Sequence, residues 1–125
     1  MQAISSSEGP GAIGTYSPAI KVGDTVYVSG QIPLDPTTKV LCSEDMHAQI
    51  TQVIQNLETL CVAAGGSLAQ VVKITVYLMD LTNSTLVNEI MATHFSQPYP
   101  ARAMVQVAGL PRGAKVEMDA IMVLR

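Results

Sequence analysis

The sequence predicts an α+β domain, a mixed β-sheet with two helices on one of its faces, in the order β-β-α-β-α-β-β. Two separated stretches carry apolar residues at helical spacing, and the runs around them show the twofold alternation of strands. Composition adds a constraint on assembly. Hydrophobic residues make up 48% of the 125 and charged residues only 14%, against roughly 25% charged in ordinary soluble domains. The length suits one domain with its own core, so residues 1–125 are read as a single unit. No run approaches the roughly 18 to 20 apolar residues that span a bilayer. The surplus apolar surface is therefore expected to lie between subunits of an obligate homo-oligomer. With no Trp and a single Phe, the core must be built from Val, Ile, Leu, Met and Ala.

Residues 1–15 are rich in Ser, Gly and Pro and are expected to form an arm or loop rather than a packed element. After Tyr16-Ser17-Pro18, a short strand from Ala19 to Val22 turns through Gly23-Asp24 into a second from Thr25 to Gln31. Val26 and Val28 share one face there, and Thr25, Tyr27 and Ser29 the other. Gly30 signals a bulge or a close approach by another group. Residues 32–40 hold two prolines and read as loop. Ser43 is the expected N-cap of the clearest helix, with Glu44 and Asp45 where the helix dipole favours anions. Met46, Ile50, Val53, Ile54, Leu57, Leu60, Cys61 and Ala64 form its buried face, and Gly65-Gly66 ends it. Burying six or so of those side chains is worth about 10 kcal/mol before chain entropy is charged. Val71 to Met79 is a strand apolar on nearly both faces, as in a central strand covered on two sides. A second helix runs from Asp80 to about Phe95, burying Leu86, Val87, Ile90, Met91 and Phe95, with Asn88 at the rim of that arc. The last strand, Lys115 to Leu124, sets Val116, Met118, Ala120 and Met122 against Glu117, Asp119, Ile121 and Val123.

Between them lies the strand of greatest chemical interest, opened by Tyr99-Pro100 and closed by Gly109 and Pro111. Ala103, Val105 and Val107 share one face; Arg102, Met104 and Gln106 share the other. A guanidinium among such neighbours must reach water, a carboxylate or a ligand, because burying it unpaired is too costly. On the residues alone it is either a surface ion pair or a ligand anchor. Net charge is −3 and the seven Lys and Arg are scattered, which argues against nucleic-acid binding as the main role. Cys42 and Cys61 form no disulfide framework, and with His47 and His94 they match no metal spacing. The N-terminal residues show neither an apolar signal core nor an arginine-rich transit pattern. A cytoplasmic location is expected, with a mitochondrial one as the alternative.

Arg102, Glu117 and Tyr16-Ser17-Pro18, taken in order, resemble the Rid/YjgF family, the reactive enamine/imine intermediate deaminases. The matching segments are Ile13-Gly14-Thr15-Tyr16-Ser17-Pro18-Ala19, Val28-Ser29-Gly30-Gln31-Ile32-Pro33, Asn56-Leu57 and Ala63-Ala64-Gly65-Gly66. They continue through Val72-Lys73-Ile74-Thr75-Val76-Tyr77-Leu78, Asp80-Leu81, Val87-Asn88, Tyr99-Pro100-Ala101-Arg102-Ala103-Met104-Val105, Leu110-Pro111 and Lys115-Val116-Glu117-Met118-Asp119-Ala120. The resemblance spans almost the whole chain. It implies a chorismate-mutase-like fold assembled as a homotrimer with clefts between subunits. The implied activity is hydrolysis of short-lived 2-imino and 2-enamino acids, such as 2-aminoacrylate and 2-aminocrotonate, to 2-oxo acids and ammonium, without a cofactor. Such 2-iminobutanoate/2-iminopropanoate deaminases limit metabolite damage by intermediates that pyridoxal-phosphate enzymes release.

On that resemblance Arg102 anchors the substrate carboxylate as a bidentate donor, and the Met104 backbone N–H adds a hydrogen bond. Glu117 positions water and shuttles protons. Tyr16, Ser29, Gly30 and Asn88 line the cleft. On the residues alone, Glu117 serves equally to offset Lys115 or Arg112, Tyr16 to pack before its proline, and Asn88 to meet solvent. The family's second helix often carries aromatics around its Asn, where this chain has Ser84 and Met91, so the expected wall is wider and less aromatic. Bacterial relatives often have Cys at the position of Met104, and a thiol mechanism is closed there. Three other activities compete: non-catalytic binding of small carboxylates, RNA cleavage or translational inhibition, and, on fold analogy alone, chorismate mutase activity.

Overall fold

The computed structural model describes residues 1–125. Its eight elements are strands β1 (Gln2–Ile4), β2 (Ala19–Val22) and β3 (Thr25–Gln31), helix α1 (Met46–Ala63), strand β4 (Val71–Leu78), helix α2 (Ser84–His94), and strands β5 (Ala101–Gln106) and β6 (Val116–Val123). The strands make one six-stranded sheet in the order β1-β2-β3-β6-β4-β5, in which only β4 and β5 run parallel. Both helices pack on the same face, where Ile50, Val53, Ile54 and Leu57 of α1 and Val87 and Ile90 of α2 join Val26, Ile74, Val76, Met118 and Met122 of the sheet in one core. The predicted α+β arrangement is the observed one, with one strand more than expected. Residues 2–4 are not an arm: they pair with Ala19–Lys21 along the sheet edge, and Ile4 is buried. The Ser-, Gly- and Pro-rich stretch that marks a loop begins only after Ile4.

Local chemistry accounts for the helix ends. Asp45, not Ser43, caps α1, its carboxylate accepting from Ala48 N at 2.9 Å. Ser43 stands two residues earlier and accepts from Asp45 N at 3.0 Å, so it shapes the turn that presents the cap. At the other end Gly65, with φ 95°, lets Gly66 N reach Cys61 O at 2.9 Å in a left-handed cap. Asp80 accepts from Thr82 N and opens a short 3₁₀ turn ahead of α2. The backbone N–H of Thr82, then its hydroxyl, hold the Asp80 carboxyl below the usual carboxylate range. Two polar residues inside the helical face, Gln49 and Asn56, are as buried as the apolar ones. Gln49 donates to Ser43 O and accepts from Lys115 N, while Asn56 donates to Ile32 O at 3.2 Å and Leu34 O at 3.1 Å. They fasten the 32–44 segment and the start of β6 to α1.

Within the single chain the opposite face is open. Val71 to Met79 was expected to be covered on both sides, but the chain supplies helices to one side only. Ile74, Val76 and Leu78 are buried, while Val72 and Lys73 are exposed and Thr75 and Tyr77 half-buried. The exposed Tyr27 and Val105 belong to the same uncovered face, since Tyr27 pairs with Ile121 and Val105 with Tyr77.

Candidate active site

Arg102 lies on edge strand β5, paired in register with the buried Ile74, so its side chain points to the helix side of the sheet. There its guanidinium donates to Asn88 Oδ1 of α2 at 2.6 Å and meets Met91 Sδ at 3.7 Å. The chain's two ion pairs are Lys115–Glu44 and Arg125–Asp24, so Arg102 has no carboxylate partner within it. A cavity of about 450 Å³ opens over the guanidinium, lined by Asn88, Met91, Ala92, Tyr99, Pro100 and Arg102. Asn88 is thus the direct partner of the arginine, one amide oxygen holding one side of the fork. Met104 shares Arg102's face and packs on the core without lining this cavity. Val107 N bonds to Leu78 O at 2.9 Å, and strand alternation turns the N–H of Met104 the other way, onto the open edge.

Glu117 stands on β6 opposite Tyr77, with its buried neighbours Val116 and Met118 facing the helices. Its side chain therefore points to the other face of the sheet from Arg102. It borders a second cavity, about 340 Å³, together with Ile13, Tyr16, Ser29, Gly30, Ile32 and Pro111. Gly30 sits in the register shift between Val28 and Gln31, and the Glu117 carboxylate occupies the space that a side chain there would fill. The ion pair offered as its ordinary explanation is absent: Lys115 pairs with Glu44 and Arg112 donates to Lys39 O. Burial first, then the neighbouring Asp119, raise the Glu117 carboxyl above the usual glutamate range. Ser29 donates to Ser17 O at 2.7 Å and ties the Tyr16-Ser17-Pro18 segment to β3.

The site residues thus fall into two groups on opposite faces: Arg102 and Asn88 on one, Tyr16, Ser29, Gly30 and Glu117 on the other. Ser84 does not belong to the wall around Asn88; its hydroxyl turns back to Leu81 O at the start of α2. Met91 does line it. Tyr99, Ile13 and Pro111 also border the cavities; in the sequence they stand beside proline or glycine turns and inside the segments that resemble the family, with no site role of their own. Cys61 is core packing as expected, its thiol pushed up to about 11 by burial and then Glu58. No three His, Cys, Asp or Glu side chains gather as a metal site, and no helix is long and apolar enough to cross a membrane.

The sheet thus sets an arginine without a carboxylate partner over one cavity and a half-buried glutamate over another. Residues 6–124 match the family described as Endoribonuclease L-PSP, and the chain belongs to that family, which is the YjgF/Rid family. Human 2-iminobutanoate/2-iminopropanoate deaminase is 42% identical over 118 residues, 94% of this chain and 86% of that protein. Among solved structures, RidA from an Antarctic Psychrobacter is 50% identical with TM-score 0.95, covering 98% of this chain and 99% of that one. E. coli TdcF with bound serine is 36% identical with TM-score 0.92, covering 98% of each chain.

Proposed function

We propose that the protein hydrolyses 2-imino and 2-enamino acids to 2-oxo acids and ammonium, as a 2-iminobutanoate/2-iminopropanoate deaminase. The observation that carries this reading is the Arg102 guanidinium, oriented by Asn88 but without an anionic partner, over an open cavity. A planar cation left so is matched by an α-carboxylate, which it can bind through two parallel hydrogen bonds. The identity to the human deaminase and the serine in the structure of TdcF support a small amino-acid-like ligand. Arg102 and the Met104 N–H hold the carboxylate, which places the adjacent C=N carbon for attack. Water adds to that carbon of the protonated imine and gives one proton to Glu117, leaving a neutral carbinolamine. Glu117 then returns that proton to the amine, the C–N bond breaks, and the departing ammonia takes the carbinol hydroxyl proton, leaving the 2-oxo acid and ammonium. Because Arg102 and Glu117 leave opposite faces of one chain, the reading requires a second copy to bring its Glu117 face to this Arg102. A homotrimer with intersubunit clefts meets that requirement.

The test is to add the protein to a serine dehydratase or amino-acid oxidase reaction and follow ammonia and 2-oxo acid. Both should appear faster than in buffer, and Arg102→Ala should lower the gain at least about a hundredfold, since anchoring and orientation are lost together. Rates equal to the buffer control would overturn the enzyme and leave a carboxylate-binding regulator, which uses the same arginine. RNA cleavage, which the family description names, finds little support in scattered cations and a net charge of −3.

A further inference from the structure

Two residues beyond Glu117, on the same face of β6, Asp119 stands opposite Thr75 in the register with β4. Tyr77, which stands opposite Glu117, reaches diagonally and donates its hydroxyl to Asp119 Oδ2 at 2.8 Å. That bond fixes a carboxylate about 7 Å along the strand from Glu117. Lys115 turns to Glu44 and Arg112 to Lys39 O, while Lys73, opposite Ile121, stands diagonal to Asp119 on the side away from Glu117 and makes no ion pair. The remaining titratable neighbours are Tyr16 in the Glu117 cavity and Tyr27, which faces Ile121. Within its own chain Glu117 is therefore a half-buried acid whose fixed charged neighbour has its own sign, and across the proposed cleft it faces the Arg102 of a second copy.

We propose that Asp119, pinned by the Tyr77 hydroxyl, is a positioning residue that sets how tightly Glu117 holds its proton. The inference rests on the deaminase reading for its role in turnover, because Glu117 must both accept a proton from water and return one to the departing amine. A carboxylate with an ordinary proton affinity accepts poorly at the water stage; a fixed like charge raises that affinity towards working pH. Burial foremost, and Asp119 beside it, hold the Glu117 carboxyl above the usual glutamate range, as a neighbour acting on an already desolvated acid would.

The experiment follows Glu117 directly and then through turnover. The Glu117 carboxyl carbon is titrated by NMR in ¹³C-glutamate-labelled protein and assigned by its loss in Glu117→Gln. Asp119→Asn keeps an acceptor for Tyr77 but removes the charge, and should lower the Glu117 midpoint by about half to one pH unit. The acidic limb of the kcat/KM profile for imine hydrolysis should move down with it. Tyr77→Phe removes the same hydrogen bond but keeps the charge, and should leave the midpoint above that of Asp119→Asn. An unchanged midpoint in Asp119→Asn overturns the proposal, as does an equal fall in Tyr77→Phe, which would make the effect structural. A midpoint that moves while the kinetic limb stays also overturns it. If the parent protein turns over no imine, the deaminase reading falls while the titration still decides the coupling between Asp119 and Glu117.

Discussion

Gly30 and Glu117 show how closely the candidate site depends on one missing methyl group. A Cβ at Gly30 would lie 2.9 Å from Glu117 Cδ and closer still to its carboxylate oxygen. The backbone there does not need a left-handed conformation, so alanine is sterically hindered only by that side chain. Gly30→Ala should therefore change folding stability by no more than about 1 kcal/mol, because the glutamate can swing aside. Swinging it aside takes the carboxylate from the water it is proposed to activate, and kcat should fall roughly ten- to hundredfold with KM nearly unchanged. Unaltered kcat in Gly30→Ala would show that the position of the carboxylate is immaterial. On the other face Asn88 performs the complementary service, its amide oxygen orienting Arg102 while the second edge of the guanidinium stays open. The arginine was readable from sequence because an unpaired cation in an apolar strand demands an explanation. Asn88 as its partner was not, since that contact depends on how α2 crosses β5.

The elements around these residues were readable to different depths, and the difference is physical. Helix α1 announces itself through an apolar face that recurs over five turns and through the glycine pair at its end. Its buried polar residues did not, because Asn56 is satisfied by the carbonyls of Ile32 and Leu34 and Gln49 by Ser43 O and the distant Lys115 N, partners that only the folded chain brings to the helix. Strand β1 was misread for a related reason: three residues carry too little alternation to show a strand, and only the pairing with β2 makes one. Asn56 is the member of this group whose removal has the most legible consequence. It satisfies the carbonyls of Ile32 and Leu34, and its own oxygen accepts from Gln52 at 2.9 Å. Asn56→Ala should destabilise the protein by about 1–3 kcal/mol, the usual cost of leaving buried polar groups unpaired. Amide exchange should quicken first at Asp35 and Cys42, which bond to Val40 O and Pro33 O within the same segment, and only later in β6. Because Ile32 also borders the Glu117 cavity, a variant that loosens this segment without weakening imine hydrolysis would show that the cavity wall need not be rigid.

The assembled sheet leaves one face uncovered and sets the arginine and the glutamate on opposite sides. Its helix side holds the core, while its other side leaves Tyr27 51%, Val72 46% and Val105 41% exposed in the single chain. Sequence shows which residues of one strand share a face; it does not show how faces correspond between strands. That correspondence comes from long-range register, in which Ile74 aligns with both Arg102 and Ala120 and so sets Glu117 on the side opposite Arg102. The arginine and glutamate of one chain are therefore separated by the sheet itself, and no side-chain rotation brings them together. If the active cleft combines them across subunits, the two defects should complement each other. Arg102→Ala and Glu117→Gln would each be inactive as pure oligomers. Coexpressed with different tags and purified through both, they should form some interfaces where an intact Arg102 from one subunit meets an intact Glu117 from the other. Every mixed trimer, whichever variant is in excess, holds one such interface in three, and imine hydrolysis should return to about a third of the parent rate. Doubly tagged oligomers without activity would sink the shared site, for they would show that both groups must come from one chain or that one of them is not needed.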